Sequence, residues 1–437
     1  MALDDTIYAL SSGALPSGVA IIRVSGPATR AVLENVAAGV PSPRKATLRR
    51  LRSRDGSTID RGLVLFFPAP TSFTGEDVAE VHLHGGRAVV EKLVNELAAI
   101  PGLRLAEPGE FSRRAFLLGK MDLVEVEGLA DLIAAETEVQ RRLALEQHSG
   151  KTSDLYQAWA DRLTRARAMI EAELDFADED DVPGSIAETI WRDMSDLVSD
   201  IERHIDGQQI SAIIRDGFDV VLVGKPNAGK SSLLNALAGR DVAIVTPIAG
   251  TTRDTIEVEL NIAGFLVRLT DTAGVQETSD IVEQEGIKRA KAALAKAHLV
   301  LSLSEEPSDF IDTSECLVPV IWVRTKVDIS TAAEEPGSFG VSAVTGRGLT
   351  ELVGVIEAHL PKLPATGGLA LPGRRRHHDR LKETVASVRA SLAHRNRGLD
   401  IAAEELRQAG DSLGRITGRV DVENLLDVIF SEFCIGK

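Results

Sequence analysis

The sequence predicts a multidomain chain of mixed α/β and α+β class: an N-terminal α+β domain, a discontinuous helical domain, and an inserted α/β domain with a mostly parallel sheet. Three observations carry this reading. Prolines at 16, 27, 41, 43, 68, 70, 101 and 108 punctuate short β-like runs over the first part of the chain. After Pro108 no proline appears until Pro183, and Leu, Ala, Glu and Arg dominate, as they do again from about residue 374. Between about 215 and 360, apolar runs alternate with helical stretches, the pattern of a parallel sheet. The expected domains are residues 1–118, 119–213 with 363–437, and 214–362.

Within the first domain, residues 19–24 and 63–67 read as strands. Residues 78–84 alternate, with Val81 and Leu83 on one face and Glu80, His82 and His84 on the other, and 86–99 read as a helix. The 437 residues are 44% hydrophobic and 26% charged, which excludes disorder over the whole chain. No apolar run is long enough to span a membrane, and the acidic start Met1-Ala2-Leu3-Asp4-Asp5-Thr6 is unlike a leader peptide, so a cytoplasmic protein is expected. Cys316 and Cys434 are too few for a disulfide framework. Lys and Arg total 49 against 65 Asp and Glu, and the net charge of −16 weighs against nucleic acid as a partner. Two blocks depart from an even distribution. Arg44, Lys45, Arg49, Arg50, Arg52 and Arg54 form a basic one, and 171–181 carries seven acids. The bland account of each is a solvated loop or helix end.

Chemistry is concentrated in the third domain. Gly224-Lys225-Pro226-Asn227-Ala228-Gly229-Lys230-Ser231 fits the eight-residue phosphate-loop pattern. An apolar strand precedes it and Ser232-Leu233-Leu234-Asn235-Ala236-Leu237 opens a helix after it. Glycines let successive N–H groups point at phosphate oxygens, Lys230 neutralises β/γ charge, and Ser231 offers a hydroxyl to Mg²⁺. Asp271-Thr272-Ala273-Gly274 follows the apolar run 265–269, which places a carboxylate at a strand end near the metal. Thr325-Lys326-Val327-Asp328 and Ser342-Ala343-Val344 come later. Asp328 can accept two N–H bonds from guanine that adenine lacks, so the substrate is expected to be GTP. The usual fourth element of such proteins is Asn-Lys-x-Asp. Thr325 in place of Asn is expected to remove an amide that helps fix the base and the loop.

On these residues the chain resembles Ras-like P-loop GTPases of the TrmE-Era-EngA group, through the switch-like stretch Thr246-Pro247-Ile248-Ala249-Gly250-Thr251-Thr252-Arg253-Asp254. Three further segments are similar to the MnmE (TrmE) family of tRNA modification GTPases. They are Ser72-Phe73-Thr74-Gly75-Glu76-Asp77, then Pro108-Gly109-Glu110-Phe111-Ser112-Arg113-Arg114-Ala115-Phe116 running to Gly119-Lys120-Met121-Asp122-Leu123, and the terminal Phe433-Cys434-Ile435-Gly436-Lys437.

The resemblance implies a homodimer formed by N-terminal domains and a K⁺-stimulated GTP hydrolase. It also implies an FAD-dependent partner of the MnmG type, in a heterotetramer-like complex, that helps install a 5-carboxymethylaminomethyl or aminomethyl group at the wobble uridine (position 34) of certain tRNAs. On matching positions, Asn227 with the carbonyls of Thr246, Ile248 and Thr251 would hold K⁺, and Thr252 would join Ser231 on Mg²⁺. Val275 stands where Ras-like GTPases carry a glutamine, and Glu283 is implied as the residue that orients the attacking water. The N-terminal domain is implied to be folate-binding-like, with Arg23, Glu80, Lys120 and Lys437 holding 5-formyl- or methylene-tetrahydrofolate.

Cys434 is implied to serve the tRNA modification rather than GTP hydrolysis. The prenylation spacing of Cys434-Ile435-Gly436-Lys437 has a poor final residue and no polybasic stretch before it. Cys316 reads as structural or incidental. Two other classes stay open at this level: an Era-like regulatory GTPase of ribosome assembly, and a folate-binding adaptor whose hydrolysis is vestigial. With tRNA as substrate, the acidic balance implies that a partner carries most of the RNA-binding charge, so the chain alone is expected to bind tRNA weakly.

Overall fold

The computed structural model describes residues 4–175, 185–240, 242–244, 257–271, 293–306, 308, 310, 316–329, 338–363, 371–395, 398–420, 426, 429, 430, 433 and 436. They form two compact units. The first comprises 1–130, 153–195 and 383–437, and the second 131–152 and 196–382.

The first unit holds a six-stranded sheet. Its strands are β1 (Thr6–Leu10), β2 (Ser17–Ser25), β3 (Thr47–Arg52), β4 (Thr58–Phe67), β5 (Val78–Gly85) and β6 (Leu103–Leu105), in the spatial order β3-β4-β5-β2-β1-β6. Helices α1 (Thr29–Ala37) and α2 (Arg87–Ala98) cover one face. The alternating residues Ala20, Ile22 and Val24 of β2 and Val81 and Leu83 of β5 meet Val32, Leu33, Leu93 and Leu97 there. This is the half-buried alternation read from residues 78–84. Beyond β6, α3 (Glu110–Leu117) places Phe111 against Ile7 and Ala9 of β1.

The basic block is not a loop. Most of it is β3, an edge strand whose exposed Arg50 and Arg52 flank buried Leu51. The alternation was hidden in the sequence because Arg occupies inward-leaning and outward positions alike.

Helices follow: α4 (Leu123–Ala134), α5 (Glu138–His148), α6 (Lys151–Asp175), α7 (Ser185–Asp206) and α8 (Gln208–Asp216). A capping box of Thr137 and Gln140 starts α5, satisfying two amide donors reciprocally. On α6, Tyr156, Trp159, Leu163, Ala166 and Ile170 recur at helical spacing and are buried. The acidic block begins on this helix and runs on past the described residues.

The second unit is built on β7 (Phe218–Val223), β8 (Glu257–Ile262), β9 (Phe265–Asp271), β10 (Leu299–Ser304), β11 (Val320–Arg324) and β12 (Ser338–Gly340), with α9 (Lys230–Ala238) and α10 (Leu349–Ala358). The order is β12-β11-β10-β7-β9-β8, and every pairing is parallel except β8 with β9. The near-continuous apolar runs of β7 and β10 fit strands covered on both faces.

Two further helices, α11 (Arg375–His394) and α12 (Leu399–Thr417), complete the chain. In the first unit they are joined by a hydrogen bond from the Ser391 hydroxyl to the Ala402 carbonyl (2.8 Å). Among the described residues no helix is long and apolar enough to cross a membrane.

Candidate active site

Parallel α/β sheets collect their ligands at the carboxyl ends of the strands, and here the loops after β7, β9, β11 and β12 carry the motif residues. Between β7 and α9 the chain makes a tight turn, with Asn227 at φ 63° and Gly229 at φ 85°. A side chain on Gly229 would be strained at that φ, and its Cβ would also lie 3.4 Å from Thr325 Cβ. The turn delivers Lys230 as the first residue of α9, where free N–H groups and the helix dipole favour an anion.

Lys230 is 4% exposed, and its ammonium donates to the carbonyls of Gly224 (2.8 Å) and Lys225 (3.1 Å). Burial pulls its pKa down and the nearby Asp271 carboxylate opposes that. Asp271 ends β9, in register with Leu222 of β7, and is fully buried. Its Oδ2 accepts a 2.9 Å hydrogen bond from the Ser231 hydroxyl. A hydroxyl and a carboxylate this close at a phosphate loop form the oxygen-rich, hard donor set that suits Mg²⁺.

Thr325 acts differently from the sequence expectation. It is buried, and its hydroxyl donates to the Ala228 carbonyl inside the phosphate loop (2.8 Å). The loop is therefore fastened to β11 without an amide, and the missing Asn does not leave it loose. The short hydroxyl suffices because the Thr325 backbone N–H is itself anchored on the Ser304 carbonyl of β10 (2.8 Å). Thr325→Val keeps the volume and deletes the donor. It is expected to weaken nucleotide affinity about fivefold, from a net hydrogen bond of about 1 kcal/mol, while the preference for guanine over adenine persists. Titration with fluorescent GDP, competed by ADP, measures both.

Asp328 is exposed beyond Lys326, whose own φ is 56° and whose ammonium pairs with Glu305. Ser342 is fully buried. Its hydroxyl and backbone carbonyl accept from the Thr345 and Gly346 N–H groups, at 3.1 and 2.9 Å, and the resulting turn presents Ala343 and exposed Val344. Ser232 is exposed one residue along α9 from Ser231. Thr246, Pro247, Ile248, Ala249, Gly250, Thr251, Thr252, Thr272, Ala273, Gly274, Glu283, Cys434 and Lys437 lie outside the described residues.

In the first unit the structure brings two of the other candidates together. Arg23 of β2 and Glu80 of β5 are direct cross-strand partners, joined by an ion pair of 2.9 Å on the face away from α1 and α2. The Arg23 guanidinium lies over the rings of Phe73 (5.1 Å) and Phe111 (5.7 Å). Sequence reasoning missed those rings as partners of Arg23, although both fall in the segments that carried the resemblance. Lys120 is exposed and reaches toward Glu76's neighbour Gly75, where an added Cβ would come within 3.3 Å of the lysine chain. The Gly436 carbonyl accepts from the Ser11 hydroxyl (2.7 Å) just beyond β1, two residues from Ala9, the partner of Arg23.

The three segments that carried the resemblance meet in space. Phe430 and Phe433 pack with Phe116 and Leu123, and buried Arg114 bonds Glu76 of the 72–77 segment (3.1 Å). Comparison with known proteins agrees with this. The description "GTP-binding protein TrmE N-terminus" matches residues 6–120, and "MnmE helical domain" matches residues 123–434. The tRNA modification GTPase MnmE of Rhizobium meliloti (strain 1021) is 60% identical over 439 residues, covering 99% of both chains. That of Rhizobium etli (strain CIAT 652) is 55% identical over 436 residues, covering 100% of this chain and 99% of its own. Among solved structures, Aquifex aeolicus Era bound to GDP·AlF₄⁻ is 31% identical, over 38% of this chain and 66% of that one, with a TM-score of 0.27. With both domain descriptions matched and full-length relatives this close, the chain belongs to the MnmE family of tRNA modification GTPases.

Proposed function

We propose that this chain is a K⁺-stimulated GTP hydrolase that works with an FAD-dependent protein of the MnmG type. Together they would install a carboxymethylaminomethyl or aminomethyl group at C5 of the wobble uridine of certain tRNAs. The observation that carries the reading is the pairing of buried Lys230 and Asp271 with the exposed Ser231 hydroxyl at the mouth of the phosphate loop, within a chain that matches family members over its length.

Backbone N–H groups of residues 227–231 hold the phosphates, and Lys230 exchanges its two loop carbonyls for β/γ oxygens. Ser231 and Thr252, with Asp271 behind them, would hold Mg²⁺, which when bound neutralises charge on those oxygens. Asn227, held with its side chain exposed at the turn, and the carbonyls of Thr246, Ile248 and Thr251 would hold K⁺. That ion would supply positive charge that offsets what develops on the phosphates in the transition state, as an arginine finger does. Glu283 orients the attacking water, and Asp328 reads guanine with the Ser342-Ala343-Val344 turn beneath the base.

The Arg23–Glu80 pair, its two aromatic neighbours and Lys120 suit a folate, with a flat pterin ring to stack and carboxylates to pair. The docking of Gly436 near β1 supports a role for Lys437 there and for Cys434 as nucleophile or acid–base group in the modification. A homodimer through the N-terminal domains and domain limits at 118, 213 and 362 belong to the same proposal. An Era-like role is disfavoured because the phosphate loop begins only at Gly224, after a complete N-terminal domain.

The test has two arms. GTP turnover is expected to be faster in K⁺ than in Na⁺, and no turnover in K⁺ would sink the hydrolase claim. Mass analysis of tRNA from cells lacking the protein is expected to show wobble uridines without the C5 group.

A further inference from the structure

A cationic strip runs along the outer edge of the N-terminal sheet. Arg49, Arg50 and Arg52 lie on β3, Lys45 just precedes it, and Arg61 lies on β4. Arg50 and Arg61 are direct cross-strand partners, so both exposed guanidinium groups share one face. Like charges placed opposite each other in a sheet repel. Among the described residues no carboxylate pairs with Lys45, Arg50, Arg52 or Arg61, and the buried Nε of Arg49 has no hydrogen-bond partner.

The nearby acids are already engaged. Asp60 holds His84 at 2.9 Å, Asp55 accepts from Ser53 and Ser57, and Glu96 pairs with Lys92 (3.0 Å) and Arg54. In a chain of net charge −16, five neighbouring cations thus have no carboxylate partner among the described residues.

Protection of a sheet edge against pairing explains charges on β3. It does not by itself explain Arg61, because a carboxylate there would keep the sheet charged and would also neutralise its cross-strand partner Arg50. The pattern fits an extended polyanion better. Alternate residues on a strand are about 7 Å apart, similar to successive phosphates of a nucleic-acid strand, and each guanidinium offers a fork that matches phosphate oxygens.

We propose that the β3–β4 strip docks the phosphate backbone of the tRNA substrate. It positions the RNA and reads no sequence. This rests on the reading of the chain as a tRNA-modifying GTPase. A few phosphate contacts of this kind give modest, salt-sensitive affinity, as expected for a chain that binds tRNA weakly alone.

The test is tRNA binding by the full chain, titrated with salt from low ionic strength upward. Arg50→Ala combined with Arg61→Ala is expected to weaken binding and to flatten the slope of log K against log salt by about 1.5, at about 0.7–0.9 per contact. Arg50→Lys with Arg61→Lys keeps the charges and should keep the slope. GTP turnover without tRNA should be unchanged in both, because neither residue belongs to the nucleotide site. An unaltered slope in the alanine pair overturns the proposal. So does loss of poly-glutamate binding with tRNA binding intact, which would give the strip to an acidic polypeptide. Failure of the wild-type chain to bind tRNA at low salt also overturns it, and the wobble-nucleoside measurement then shows separately whether the functional reading falls too.

Discussion

Lys230→Ala is expected to lower GTP turnover by at least about a hundredfold, the usual cost of deleting one preorganised charge partner of the transferred group. Nucleotide affinity should fall with it. The ammonium is nearly fully buried and bonded to two loop carbonyls, so it is held ready for phosphate oxygens. Without it the fully buried Asp271, bonded to the Ser231 hydroxyl, loses the Lys230 charge that faces it, and an incoming triphosphate meets that carboxylate without the lysine. Single-turnover hydrolysis and equilibrium titration separate the two losses. A urea unfolding curve shows whether the fold survives. Turnover within tenfold of wild type would contradict the role given to Lys230.

The second large effect is structural. Arg114 is fully buried in the first unit. It bonds the Asp5 carboxylate and carbonyl (2.5 and 2.9 Å), Glu76 (3.1 Å) and Glu110 (3.1 Å). Arg104 braces the same acids from outside, at 2.6 Å to Glu110 and 2.6 Å to Asp5. Arg114→Ala is expected to cost about 3 kcal/mol, the lower end of the range for breaking a buried pair. The cost stays at that end because Arg104 still holds Glu110 and the Ser25 hydroxyl still bonds Glu76 (2.6 Å).

The pH dependence supplies a second reading of the same network. Burial raises the pKa of Asp5 and of Glu110. For Asp5 the bonds to Arg104 and Arg114 outweigh it, and for Glu110 Arg104, the Glu107 N–H and Arg114 do, so both carboxyls sit below their usual values. Groups with lowered folded pKa values contribute stability that is fully present above about pH 5 and is lost as pH falls through those lowered values. The stability gap between wild type and Arg114→Ala should therefore narrow in acid. Denaturant midpoints at pH 7 and pH 3 measure it, and an equal gap at both would assign the loss to packing instead of charge.

The sequence made the parallel sheet and its phosphate loop legible, because β7, β9 and β11 are apolar runs ending at motif residues. Residues 78–84 were legible through their period of two. The Arg114 network was not. Glu110 and Arg114 stood in a segment noted only for its resemblance, and a buried charge cluster drawn from strand, loop and helix leaves no periodic trace. Thr325 was misread for a related reason. A substitution within a motif shows which group is lost, while the carbonyl that its replacement can reach depends on how two loops approach in space. The edge strand β3 escaped because a run of Arg hides the one inward Leu51 that marks it as a strand.

The contact between Ser11 and Gly436 joins residues 425 apart in the chain. The fit is tight: a Cβ on Gly436 would come within 2.1 Å of the Leu10 carbonyl. On a ribosome the N-terminal sheet emerges long before Gly436 is made, so this part of the unit can only be completed after the inserted GTPase motifs have been synthesised. A chain interrupted after β6 and before Gly436 contains the residues of the β1–β2 platform and of the Arg23–Glu80 pair but lacks the piece that seats beside them. Completion of this edge of the N-terminal domain in this way waits on synthesis of a residue more than four hundred positions later.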